Sequence, residues 1–291
     1  MKRSIITLAS LLLVLATTGC TALGMSAGDA AEQMTARAPS GDFAGLADAL
    51  AHERRADDHA RDGDRHPEET IRFVDIQPNH TVAEYAPGGG WYTRILAPYV
   101  ASNGRYIAVG FAGDQTPFER IQKALEGWDE KFPVAIGEMT GLPADQFSVY
   151  YARSIPEEAQ GTVDRILIPR MLHNLLRWNI AGGELRALRT LLADDGLVGV
   201  VQHRAPVDAP YSYTDGSKGY LHEADVIALM ALHGFQFVGS SEINANPKDP
   251  ANHEIGVWTL PPSFRLGETD KERYAAIGES DRATLLFEKA D

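Results

Sequence analysis

Cysteine is nearly absent from this chain. It has one, Cys20, so no disulfide framework can underlie the fold. Positive charge is scarce as well: 27 Lys and Arg stand against 40 Asp and Glu, a net charge of −13. That balance excludes the basic footprint that holds a phosphate backbone, and no nucleic-acid partner is expected. Long apolar runs are missing apart from one near the start, over 5–16, which is too short to span a bilayer comfortably. No internal repeat and no low-complexity tract interrupts the chain. Close metal-ligand spacing of the H-E-x-x-H kind is missing too: His173, His203 and His222 are scattered, and no metal site is expected.

What remains is ordinary globular material: 291 residues, 44% hydrophobic and 23% charged. Its first segment is a targeting signal. Met1-Lys2-Arg3 is basic, the apolar run follows, and Thr17-Thr18-Gly19-Cys20 ends it. This resembles a bacterial lipoprotein signal, with Thr17 where that motif usually has leucine. The resemblance implies lipidation at Cys20, a membrane partner through that anchor, and a periplasmic or outer-membrane-associated location. Simple secretion, with cleavage near Thr21 to Ala27, is the alternative. The expected organisation is a signal over 1–20, a small, polar tether over 21–42 and one domain over 43–291.

Past the tether, hydrophobic periodicity predicts helices over 43–61, 66–74, 91–99, 117–128, 183–193 and 222–233, with Asp62-Gly63-Asp64 breaking the chain after the first. Strands are predicted over 81–85, 105–111, 147–152, 163–169, 197–202, 235–241 and 284–289. Alternating strands and helices imply a parallel sheet covered on both faces, with ligands at the carboxyl ends of the strands.

The stretch that organises the domain is Glu84-Tyr85-Ala86-Pro87-Gly88-Gly89-Gly90-Trp91. A strand, three glycines and a helix let backbone approach a ligand closely. The stretch from Val82 to Gly90 resembles the V-L-D-x-G-x-G-x-G motif of class I S-adenosylmethionine (SAM) methyltransferases, with Glu84 at the acidic position and Ala86 in place of the first glycine. Scattered strings are similar to a family of exported bacterial methyltransferase-like proteins: RHPEETIRF, PGGGWYTRILAPYV, His173-Asn174, HRAP, GYLHEADVI, SEINANPKDP, GVWTLPPS and IGESDR. They span roughly residues 52 to 290.

The resemblance implies an α/β, Rossmann-like class I methyltransferase fold. Its seven-stranded sheet is mostly parallel, with helices on both faces and an insertion over 244–280 before the last strand. It implies SAM as cofactor, held by Glu84, Pro87, Gly88, Gly89 and Gly90, and a small-molecule substrate. Gly110 falls where relatives carry the acid that binds the ribose diol, a departure for which Asp114 is a substitute candidate; Glu138 is a candidate adenine contact. The catalytic edge is implied at Arg170, His173, Asn174 and His203, with His173 as a general base titrating near working pH. Tyr220 and His222 are expected to close over that rim. Glu279, Asp281 and Arg282 form either a salt-bridged turn or part of the pocket. Two other readings remain open: a non-catalytic binding lipoprotein, and another enzyme on the same fold using His173 and His203.

Overall fold

The computed structural model describes residues 41–290. The expected signal, Cys20 and all of the expected tether but its last two residues lie outside them. Seven strands form one sheet: β1 Thr81–Tyr85, β2 Arg105–Gly110, β3 Ser148–Tyr151, β4 Val163–Pro169, β5 Leu192–His203, β6 Phe235–Ser241 and β7 Arg282–Lys289. Their order is β3-β2-β1-β4-β5-β7-β6. All neighbours are parallel except β7, which runs antiparallel to both β5 and β6. The chain is an α/β protein with a seven-stranded, mostly parallel sheet and helices on both faces, as expected.

Strand alternation explains why this sheet is covered on both faces. Ala83, Tyr85, Ile107, Val109, Ile166, Ile168, Val198 and Val200 enter one core, while Val82, Ala108, Leu167 and Leu197 enter the other. The first core is closed by α8 Ala181–Leu191, through Leu185 and Leu188, and by α10 Glu223–Leu232, through Val226 and Met230. The second is closed by α1 Leu46–Ala51, α3 Pro67–Phe73 and α4 Thr93–Val100, with Ile71, Ile95 and Leu96 fully buried. The remaining helices are α2 Asp62–Arg65, α5 Glu119–Ala124, α6 Trp128–Thr140, α7 Leu172–Arg177, α9 Tyr211–Thr214 and α11 Lys271–Ile277. Among the described residues no helix is long and apolar enough to cross a membrane.

Three expectations are corrected. The helix over 43–61 is only α1 followed by two 3₁₀ turns. His52 turns extended and its Nδ1 accepts from the Arg54 N–H, while Arg55 swings inward to the Leu50 carbonyl and Asp62. Asp62-Gly63-Asp64 is not a break but the body of α2, which stops one turn later at left-handed His66. The helix over 117–128 ends early at Leu125. Gly127, at φ 63°, restarts the chain as α6, a helix that periodicity does not predict because Pro133 and Gly137 interrupt it.

The connection from β6 to β7 is the expected insertion. It is mostly irregular, carries a 3₁₀ turn at Gly256–Thr259 and α11, and lies at the carboxyl edge of the sheet.

Candidate functional site

β1 pairs with β2 on one side and β4 on the other, so chain direction switches at its carboxyl end. The glycine turn sits there. The Ala86 N–H donates to the Val109 carbonyl at 2.7 Å, and the chain then passes through left-handed residues at Ala86 (φ 52°), Gly88 (φ 58°) and Gly90 (φ 78°). Ala86 adopts the glycine conformation of the motif at a cost of about 1 kcal/mol. The three glycines have different jobs. A Cβ on Gly90 would collide with Met139 Sδ, so that glycine serves packing. A Cβ on Gly89 would have nothing within 4 Å. Gly88 and Gly89, with Ala86 and Pro87, form one wall of a cavity of about 320 Å³.

Glu84 lies beneath the turn, 1% exposed. Its Oε2 accepts from Thr93 Oγ1 at 2.8 Å and from the Tyr106 hydroxyl at 2.7 Å. Burial raises its pKa to about 7, against the opposing pull of the two hydroxyls and of Arg170 and Arg94. Arg94, the second residue of the following helix α4, clamps the site: it forms a bidentate pair with Asp58 at 2.6 and 2.7 Å and donates to the Gly89 carbonyl at 2.9 Å.

The position expected to meet a ribose is different. Gly110 does end β2, but a Cβ there would stand 2.9 Å from the Trp128 ring. Trp128 is fixed by stacking on Phe132 and by its backbone N–H donating to the Tyr151 hydroxyl. The indole fills the space an acidic side chain would use. Neither the substitute candidate nor the candidate adenine contact reaches the site: Asp114 is exposed and paired with Arg153, and Glu138 is on the exposed face of α6.

At the carboxyl ends of β4 and β5 a second cavity, of about 230 Å³, brings together all four residues expected at the catalytic edge: Arg170, His173, Asn174 and His203. The rings of His173 and His203 are 5.4 Å apart. Gln202 faces His173 Nδ1 at 3.3 Å and donates to the Gly219 carbonyl, and His203 Nδ1 is 2.5 Å from Ser280 Oγ. The expectation of an imidazole titrating near working pH is not met. Burial and then Arg177 and Arg170 take His173 down to about 3; burial, His173, Arg282 and Arg170 hold His203 well below the usual range. Both rings are neutral at physiological pH. Tyr220 and His222 do not close the rim: Tyr220 is buried and donates to Asp249, and His222 faces Asp225 at the start of α10.

The turn before β7 is both a salt-bridged turn and a wall of this cavity. Glu279 accepts from Arg61 at 2.8 Å, Arg65 at 2.9 Å and Arg282 at 2.9 Å. Arg61, Arg65 and Arg170 line both cavities, which makes them a single cleft with two ends. Arg170 itself is left-handed, at φ 55°, and among the described residues its guanidinium has no hydrogen bond or ion pair; Glu279 acts on it only through space. Asp58, Arg61, Arg65 and Arg94 have no role in the motif. Arg65 does open the string RHPEETIRF, and Arg94 follows Gly90 by one helical turn, which are the only local signals. Among the described residues no cluster of three His, Cys, Asp or Glu can hold a metal ion.

No family model matches the chain, and no curated protein matches it. Solved structures with a similar chain path include a SAM-dependent methyltransferase from Aquifex aeolicus, at 16% identity and TM-score 0.46, covering 68% of this chain and 93% of that one. Another is the [4+2]-cyclase SpnF, at 15% and 0.47, covering 78% and 80%. A third is the 1,6-didemethyltoxoflavin-N1-methyltransferase of Burkholderia thailandensis with bound S-adenosylhomocysteine, at 14% and 0.43, covering 87% and 93%.

Proposed function

We propose that this chain is a SAM-dependent methyltransferase acting on a small molecule. The observation that carries the reading is the turn at the switch point, where Gly88 and Gly89 face open space over buried Glu84. The residues present fit the amino-acid end of the cofactor, because backbone without side chains forms that wall. They give its ribose no acid, because Trp128 covers Gly110. When bound, SAM supplies an electrophilic methyl group. The chain's own work is positioning: Arg94 and Asp58 hold the turn in shape, and the insertion walls the far end with Trp258 and Pro261. His173 and His203, neutral, exchange hydrogen bonds with the acceptor at that end.

Gly89→Asp is the direct test. It is compatible with the fold, since the position has a negative φ and open space for the Cβ, and it sends a side chain into the cavity. Calorimetric titration with SAM and S-adenosylhomocysteine is expected to show micromolar binding to the wild type and none to the variant. No heat from folded wild-type protein would overturn the reading. It would favour the alternative that Trp128 supports, a binding protein or other enzyme whose ligand has no ribose diol.

We also propose that the signal is cut before Cys20, leaving Cys20 as the lipidated N-terminus, a tether over 21–42 and the domain over 43–291 outside the cytoplasmic membrane. The basic, apolar and Cys20-ending segment supports this. Cys20→Ser is expected to move the protein from the membrane fraction to the soluble one on cell fractionation. Unchanged membrane association would refute the anchor.

A further inference from the structure

The cleft carries a charge opposite to that of the molecule. The chain has a net charge of −13, yet Arg61, Arg65, Arg170 and Arg282 converge here on one carboxylate, Glu279. Three of the four bond to it. Arg170 does not, although a guanidinium stays charged at any accessible pH and gains most from a planar, bidentate anion. The chain also holds Arg170 in a left-handed conformation that a non-glycine residue rarely adopts, and such strain concentrates at ligand sites.

We propose that the end of the cleft beneath the insertion is an anion subsite, and that the small molecule taken there carries a carboxylate or phosphate group bound by Arg170. As a statement about a methyl acceptor this rests on the methyltransferase reading; as a statement about an anion it stands on the guanidiniums alone. Arg170 lines both cavities, so an anion held by it lies between the glycine turn and the two imidazoles. The rest of the ligand meets an apolar wall at Trp258, whose ring is fixed by Arg177 at 5.0 Å and Arg265 at 4.7 Å. Asn174 adds a buried carbonyl oxygen without a partner among the described residues, an acceptor for a ligand N–H or O–H. An anion on Arg170 also offsets that guanidinium's field on the two histidines.

The anion has two chemical sources, the acceptor or the carboxylate of the cofactor's own amino-acid end, and one experiment separates them. Inorganic phosphate is titrated into the mature chain with and without saturating S-adenosylhomocysteine, read by calorimetry. Phosphate is expected to bind in both cases. Arg170→Gln is expected to weaken it roughly tenfold or more, as loss of a charge-assisted pair does. Arg170→Lys keeps the charge but not the bidentate fork and is expected to bind phosphate more tightly than Arg170→Gln and less tightly than the wild type, which covers a fold defect in the first variant. Arg153→Gln, at the exposed Asp114 pair, is expected to change nothing. No phosphate binding, or binding indifferent to both Arg170 variants, overturns the subsite. Competition between phosphate and S-adenosylhomocysteine overturns the acceptor assignment and gives the anion to the cofactor. If S-adenosylhomocysteine does not bind, the methyltransferase reading fails while the phosphate arm still tests the subsite.

Discussion

Glu279→Gln is expected to destabilise the domain by about 3–5 kcal/mol, the cost of removing one partner from a buried ion pair. Glu279 is 4% exposed, and two of its three cations are nearly as deep, Arg65 at 5% and Arg282 at 1%. Glutamine fills the same volume but removes the only carboxylate on which the three guanidiniums converge. Arg61, which is partly exposed, can relax into water; Arg65 and Arg282 cannot. Because the carboxylate ties residues 61 and 65 to the turn before β7, the loss should also expose the 53–66 segment to protease. Urea denaturation read by tryptophan fluorescence measures the first effect and limited proteolysis the second. A loss under about 1 kcal/mol, the range of surface pairs, would contradict this account.

Glu84 is expected to make stability fall as pH rises. Its folded pKa of about 7 lies above the unfolded value of 4.5, so the folded state holds a proton that the unfolded state has released. Stability from this group is complete below about pH 4.5 and is lost as pH rises through 7, by about 3 kcal/mol in all. His173 acts in the other direction. Its folded pKa of about 3 lies below 6.5, so its contribution is present above 6.5 and is lost as pH falls toward 3. The wild-type profile mixes both, which is why the informative quantity is the difference between the wild type and Glu84→Gln. That variant keeps one carbonyl oxygen for the Thr93 and Tyr106 hydroxyls and does not titrate. Its stability relative to wild type is expected to improve by about 2–3 kcal/mol between pH 5 and pH 8 in urea melts at the two pH values. A constant difference would mean that Glu84 ionises normally in the folded protein.

The buried strands were legible because side-chain alternation is local. Val82 and Ala83 go to opposite cores whatever lies elsewhere in the chain, and the continuous apolar character of 197–202 already implies a strand with cover on both faces. The turn was legible for the same reason, since three successive glycines write a backbone conformation directly. The 129–146 stretch was not. Pro133 and Gly137 lower helix propensity in α6, and only packing of Phe132 and Ile136 into the core overrides that. The imidazoles of His173 and His203 were found by position at the strand ends, but their neutrality depends on burial and on cations that are distant in sequence.

By itself, then, the sequence determined the alternation of strands and helices, the glycine turn at the end of β1 and the set of polar residues at the carboxyl ends of β4 and β5, because each depends on neighbours within a few residues. Tertiary structure decided what those parts can bind. It laid Trp128 over Gly110, and it brought Arg61 and Arg65 to Glu279 across 218 and 214 positions. Among the described residues it also left Arg170 in the cleft with no ion pair. Charge pairing over such separations follows from strand order and burial, and no local pattern in the chain encodes it.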